Sequence, residues 1–401
     1  MLIRLAFRNL FRNPRRTATV VLTVAMGTGS LFIFDGFNAG IMNQYRENTV
    51  HSRYGHGQVN TNGYREKVFE KPWEHWMTNY PALQERLTRI PGVLHLFPRV
   101  EFFSLLTNGK ITVSGRGQGV DGRAEAKFFT TLNVVDGMTL SDQEDGILLG
   151  LGLARALDTK IGDRVTVLAN TIHGTMNAAD LTVTGIFHTG SKDFDDVVFR
   201  IPLKQAQTVL DTDRVESVAF GLKSVEDWSR VADVVRAEYP ELEATPFAVL
   251  DKVYYQNSVD WLGQQFAVIQ LIILAIVLLG IFNTVSTSVL ERKQEIGNLR
   301  ANGESKGQIV LLLGWEGFAL GVLGAVLGIV IAWMITAVFL RNGILMPPAP
   351  GLTRQFHVRI ELQAAMALGS FIMGAAAAMV GTLLASFRVA RMPIGEALRS
   401  I

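Results

Sequence analysis

The chain has 401 residues, of which 48% are hydrophobic and only 18% charged, where soluble domains carry roughly a quarter charged. The deficit is concentrated in a few long apolar runs, which marks a membrane protein with a separate polar domain. A net charge of +2 supplies no global basic field and excludes nucleic acid as the partner, and the absence of cysteine excludes disulfides, thiolate metal sites, a thiol nucleophile and a lipidated N-terminal Cys.

In chain order, residues 1–15 read as a short basic amphipathic helix in the cytoplasmic interface. Ile3, Phe7, Leu10 and Phe11 share one face, and Arg4, Arg8 and Arg12 recur beside it. Pro14 marks its end. Residues 17–41 then form a first transmembrane helix, with the N-terminus cytoplasmic by the positive-inside rule. This apolar run of about 25 residues is too long for the core of a signal peptide, and no small-x-small cleavage site ends it.

From 45 to 261 no stretch can span a bilayer. Strand-like runs at 110–114, 146–149, 164–168, 181–186 and 197–201 are separated by Gly, Asp and Asn turns. Helical patterns fall at 73–90, 151–157, 203–210 and 225–238, the last with Trp228, Val231, Val234 and Val235 on one face. The expectation is an α+β domain with one core or two small lobes, outside the cytoplasm because it follows an N-in helix. Residues 266–290, 308–340 and 362–387 are three further spans, the middle one long enough to require tilt, a kink or projection beyond the hydrocarbon. Between them lie a cytoplasmic segment at 291–306 and a constrained outer loop at 341–361 with Pro347, Pro348 and Pro350; a cytoplasmic tail at 388–401 ends the chain. Arg15, Arg16, Arg292, Lys293, Arg300, Lys306, Arg388, Arg391 and Arg399 all fall inside, and only Arg341, Arg354 and Arg359 flank the outer loop. The predicted fold class is therefore four transmembrane helices plus a large α+β extracytoplasmic domain inserted between helices one and two.

No catalytic or metal constellation emerges. There is no G-x-x-x-x-G-K-[ST] phosphate loop and no G-x-S-x-G elbow. His51, His56, His75, His95, His173, His188 and His357 have no metal-ligand spacing. Gly115-x-Gly117-x-Gly119 lacks a dinucleotide-binding context and reads as a turn, and Asp195 and Asp196 read as solvated loop residues. In the third span Gly314, Gly317, Gly321, Gly324 and Gly328 form one stripe of small residues that suits close packing on span four. Glu316 sits in that span near its cytoplasmic end, where proton coupling, an interfacial position and an interhelical hydrogen bond are all open. Asp35 and Asn38 are expected to meet headgroups or the base of the large domain.

The segment ERKQEIGNLRANG at 291–303 has Glu291 and Glu295, and Ile296 and Arg300, a helical turn apart, with Gly303 placed to stop the helix. It reads either as a surface that docks into a partner's groove or as a charged loop that fixes topology.

Glu291-Arg292-x-x-Glu295-Ile296-Gly297-x-Leu299-Arg300-Ala301-x-Gly303 between two spans resembles the coupling-helix signature of the MacB/FtsX-like ABC permeases, the type VII ABC transporters. Leu5-Ala6-x-Arg8-Asn9-Leu10-x-Arg12-Asn13 resembles their N-terminal interfacial helix, and Arg388-Val389-Ala390-Arg391-Met392-Pro393-Ile394-Gly395-Glu396-Ala397-Leu398-Arg399 their C-terminal segment. Gly146-Ile147-Leu148-Leu149-Gly150-x-Gly152-Leu153-Ala154, Gly162-Asp163-x-Val165 and Val183-x-Gly185-Ile186 are similar to their MacB-like extracytoplasmic core. The order of spans also matches, and residues 52–64 resemble the lipoprotein-releasing LolC/LolE branch, which the layout follows most closely.

The resemblance implies a non-catalytic permease subunit of the bacterial inner membrane, with both termini cytoplasmic. It implies a separate cytoplasmic ABC ATPase that binds the ATP and touches Glu291, Arg292, Glu295, Ile296, Gly297, Leu299, Arg300 and Gly303, with no cofactor on this chain. It implies a dimer with a second copy or a paralogue, contact with membrane lipid, and a lipoprotein or another hydrophobic substrate. An FtsX-like regulator that activates a periplasmic or cell-wall partner without transport is the alternative.

Overall fold

The computed structural model describes residues 14–68, 70–140, 145–252, 257–347, 353 and 355–391. Most of the expected interfacial helix and of the cytoplasmic tail, together with Pro348, Pro350 and Arg354, lies outside the described residues. The chain forms two compact units: a membrane unit, and a domain built from Gln44–Val259 joined by Pro347–Phe356.

Among the described residues, the membrane unit holds four helices long and apolar enough to cross a membrane. They run Pro14–Thr49, Asn257–Leu290, Lys306–Phe339 and Ala364–Ala390. The first has 36 residues, about 54 Å at 1.5 Å per residue, and continues through a π-helical turn at Val50–Tyr54. It therefore runs well past the apolar stretch that ends at 41: a polar face from Asn43 to Glu47 is no obstacle to a helix whose far end is capped by protein. Asp35 accepts from Gln270 Nε2 of the second span at 2.9 Å, so it is a contact between spans rather than a headgroup ligand.

The glycine stripe of the third span serves two neighbours. A Cβ at Gly314 would lie 3.0 Å from Leu383 Cδ2, at Gly317 2.5 Å from Thr382 Cβ, and at Gly321 2.9 Å from Ala378 Cβ, all on the fourth span. Further along, a Cβ at Gly324 would lie 2.6 Å from Val24 Cβ, and at Gly328 3.0 Å from Ala25 C, both on the first span. Backbones that must meet this closely leave no room for any side chain.

The inserted domain carries a ten-stranded mixed sheet. Its strands are β1 (Gly57–Thr61), β2 (Val93–Thr107), β3 (Thr112–Val120), β4 (Val134–Gly137), β5 (Gly146–Gly150), β6 (Arg164–Asn170), β7 (Met176–Phe187), β8 (Val198–Pro202), β9 (Ser217–Leu222) and β10 (Leu242–Pro246). The spatial order is β10-β1-β9-β2-β3-β8-β5-β7-β4, with β6 paired to β2 and β7. Pairs β3–β8 and β5–β7 are parallel. The 15-residue β2 holds the sheet together, pairing its first half with β9 and its second with β3. One core gathers Val100, Leu106, Ile147, Leu149, Val167 and Phe199; another gathers Val59, Leu87, Phe220, Trp228, Val231 and Val235. The domain is thus one sheet over separate cores.

Three local expectations change. Gly115, Gly117 and Gly119 are not a turn but alternate residues of β3. They face the core, and a Cβ on Gly117 would come within 2.7 Å of Phe199 Cζ, so the missing side chains make room for the rings of Phe102 and Phe199. The turn lies earlier, where Asn108 Oδ1 accepts from the N–H groups of Lys110 and Ile111 at 2.9 and 2.8 Å and Gly109 has φ +85°. The pattern at 73–90 is broken into a 3-10 turn, Pro72–His75, and a helix, Tyr80–Thr88, because Met77 pairs with Val215 and Pro81 fits only a first helical turn. Asp195 is buried rather than solvated: it accepts from Thr189 N and Oγ1 at 3.0 and 2.9 Å and from Gly190 N at 3.1 Å.

At the end of the first helix, two buried arginines meet exposed carbonyl ends. Arg200 Nη2 donates to Ser52 O at 3.2 Å, and Arg99 Nη1 donates to Arg53 O. Both also pair with Glu125, at 2.6 Å from Arg99 and 2.9 Å from Arg200. The last carbonyls of a helix have no partner within it, and cations there are favourable. This cap fastens the helix end into the sheet of its own domain.

Elsewhere in the sheet Glu216 accepts from Tyr64 Oη and from Glu101 N. Burial, then the neighbouring Glu101 carboxylate, push its pKa up to about 8. A raised carboxyl pKa means that the folded state holds the proton more tightly than the unfolded one, so this group costs stability as pH rises from about 4.5 towards 8.

Two predictions follow from this packing. Gly117→Val should destabilise the inserted domain by about 1–3 kcal/mol through overpacking, read as a lowered midpoint of denaturant unfolding of the full chain in detergent. Glu216→Gln should gain on the parent chain by on the order of 2 kcal/mol between pH 5 and pH 8, measured by the same unfolding at both pH values; an equal difference at the two would refute the buried carboxyl.

Candidate functional site

The segment between the second and third spans folds as a short helix, Lys293–Ala301. Its stop follows from backbone chemistry: Gly303, at φ +98°, donates to Arg300 O at 3.1 Å and Glu304 N to Leu299 O at 3.1 Å, the two bonds of a Schellman ending. The third span starts at once, with Ser305 Oγ accepting from Gln308 N at 3.3 Å and Gln308 Oε1 accepting from Ser305 N at 2.9 Å, a reciprocal capping box. A turn this short, closed at both ends, fixes where the helix stands against the third span.

The expected contact residues divide by environment. Ile296 and Gly297 are buried. Ile296 packs with Val20, Ile281, Val285, Val289, Ile309, Leu313 and Ala385 of the four spans, and Leu299 lies against the same cluster. Arg292 Nε donates to Glu295 Oε2 at 2.8 Å, and its Nη1 donates to Glu316 Oε2 on the third span. Arg300 is half-buried, whereas Glu291, Gln294, Asn298 and the whole stretch 301–308 are exposed. The exposed face of this helix is polar, formed by Glu291, Gln294, Asn298 and the Gly303 turn, while the apolar residues anchor it from within.

Glu316, for which three roles were open, is an interhelical ion pair. Sequence reading missed its partner. The available signal was the acid itself: a carboxylate inside an apolar helix requires a cation close by, and Arg292 ends the adjoining span. Arg16 of the first span joins from the other side, donating to Ser288 Oγ of the second span and lying within electrostatic reach of Arg292, Glu291, Glu316 and Glu295. Thr284 and Thr287 bond back to Gly280 O and Asn283 O at 2.9 and 3.0 Å, as hydroxyls in spans commonly do. Among the described residues no group of His, Asp and Glu could hold a metal ion.

Comparison with known proteins covers nearly the whole of this architecture. Residues 17–238 match the model of the MacB-like periplasmic core domain, and residues 267–394 that of the FtsX-like permease C-terminal region. The chain is 30% identical over 277 residues to the lipoprotein-releasing system transmembrane protein LolE of Haemophilus influenzae, covering 64% of this chain and 63% of that protein. It is 28% identical over 201 residues to LolC of Xylella fastidiosa, covering 48% of each. These matches span less than two thirds of the relatives' own lengths. The crystal structure of the periplasmic region of MacB from Actinobacillus actinomycetemcomitans aligns with 10% identity and a TM-score of 0.37, over 49% of this chain and 91% of that one. With two family models laid along the chain in the order that its spans and inserted domain require, it belongs to the MacB/FtsX-like family of ABC transporter permeases and is a multi-pass membrane protein.

Proposed function

We propose that this chain is the permease subunit of an ATP-driven complex that moves a lipoprotein or another hydrophobic substrate from the outer leaflet of a bacterial inner membrane. A separate cytoplasmic ABC ATPase binds and hydrolyses the ATP; this chain binds no cofactor and transmits the motion to its inserted domain on the periplasmic side. Both termini are cytoplasmic, in keeping with the basic residues that flank the spans. Two permeases, identical or paralogous, pair with two ATPases.

The observation that carries this reading is the helix Lys293–Ala301. A charged loop that served only topology would need no Schellman ending, no capping box behind it and no apolar anchor through Ile296. Here a short helix is fixed from within and offers a polar, exposed outer face, the form that a docking element takes. The mainly apolar surfaces of the spans, with Leu271, Leu279, Val338 and Phe339 among the most exposed, suit lipid contact and do not line a hydrophilic channel.

The test is reconstitution of the chain with a candidate ABC ATPase subunit from the same organism. Glu291→Arg together with Gln294→Arg, both on the exposed face, should weaken co-purification at least tenfold, or leave ATP hydrolysis running without transport. Normal assembly and coupling in that double variant would overturn the proposal. Capture of a cell-wall hydrolase, with no lipoprotein or lipid released, would instead favour the regulator.

A further inference from the structure

The ion pair behind the docking helix is more than the docking face needs. Arg292 grips two elements with one guanidinium, Nε on Glu295 of the short helix at 2.8 Å and Nη1 on Glu316 of the third span. The Arg292 and Glu316 side chains are 13% and 9% exposed. At the next residue the third span packs closely on the fourth, since a Cβ at Gly317 would lie 2.5 Å from Thr382 Cβ.

Apolar contact alone would not orient the short helix. The burial of Ile296 and Leu299 is favourable in many rotations and shifts, because such attraction has no direction. A guanidinium held by two carboxylates has direction, since its donors lie in a fixed planar fork. A buried ion pair is also poor value as plain stabilisation, because well-packed apolar residues in its place would hold the fold as well or better. What it supplies is position.

We propose that Glu316, acting through Arg292, is a positioning residue that sets the orientation of the Lys293–Ala301 helix and passes that helix's displacement directly into the third span. Motion would then enter the membrane unit through span three as well as span two. Arg16 extends the same charge cluster to the first span, so a shift of Arg292 is felt on three spans. This inference rests on the docking role proposed above for the short helix, and its experiment separates the two.

The chain contains no cysteine, so spin labels can be placed singly. Labels on Lys293→Cys, half-buried at the start of the short helix and outside its polar face, and on Val326→Cys, on an exposed face of the third span, would report the distance between helix and span by pulsed electron resonance. In the full chain with its ATPase in nanodiscs, Glu316→Gln should keep ATPase binding within about twofold. The resting distance distribution should broaden, and the change produced by ATP should be lost. The exchange Arg16→Glu, Arg292→Glu, Glu295→Arg, Glu316→Arg, which inverts Arg292, its two carboxylate partners and the neighbouring Arg16 together, should narrow the distribution again relative to Glu316→Gln.

A Glu316→Gln chain whose resting distribution and ATP response both match the parent would overturn the inference. So would an exchange variant that folds and remains broad. If the parent chain binds no ATPase, the docking reading fails, while the resting distribution still decides the positioning role: broadening supports it and an unchanged width rejects it. If Glu316→Gln does not fold, Glu316→Asp takes its place, with the same two outcomes.

Discussion

The membrane unit depends on how closely helix backbones can meet where no hydrophobic drive pushes them together. The third span meets that demand twice, against the fourth span through Gly314, Gly317 and Gly321 and against the first through Gly324 and Gly328. Gly27 and Gly374 extend the pattern, since a Cβ at Gly27 would lie 2.5 Å from Val277 Cγ1, and the space beside Gly374 is taken by Thr28 Oγ1. Once these backbones are in place, the ends of the spans nearest the short helix converge. That brings Arg16, Ser288, Arg292 and Glu316 into one cluster in a layer where each would otherwise be costly. The ion pair is thus a consequence of glycine packing as much as of its own charge.

The inserted domain solves a different problem, that of receiving a long helix without leaving its last carbonyls unpaired. Arg99 and Arg200 reach Arg53 O and Ser52 O from β2 and β8 and are bound to each other through Glu125. Phe129 closes the group, with the Arg99 guanidinium 4.4 Å from its ring centroid. Burial pulls the Arg200 pKa down to about 10, so its guanidinium stays charged across the physiological range.

Much of this was legible in the sequence. Apolar length marked the spans, Gly303 marked the end of the short helix, and the periodicity at 203–210 matches Leu203–Leu210 as found. The longest strand, β2, was not legible, because Pro98, Arg99 and Glu101 break the run of β-formers, and Arg99 is buried only because Glu125 arrives from a later helix. The glycines of β3 misled for a related reason: low strand propensity is a property of the residue alone, whereas the space that Phe102 and Phe199 require is a property of the fold. At the candidate site, the short helix could be read from local spacing, but the division of its residues into anchored and exposed faces could not. It depends on the spans that surround Ile296.

The Arg292–Glu316 pair shows the same limit more sharply. The partners are 24 residues apart, and the distance between them is set by a turn that two backbone motifs close. Reading outward from the acid predicts that some cation must answer it, but not which one, since Arg15, Arg16, Arg292, Lys293 and Arg300 are all basic residues near that end of the spans. The choice of Arg292 follows from its place at the junction of span and short helix, where one side chain can reach both. The position that makes the pair hard to find in the sequence is thus the one that lets a single side chain join the short helix to the third span.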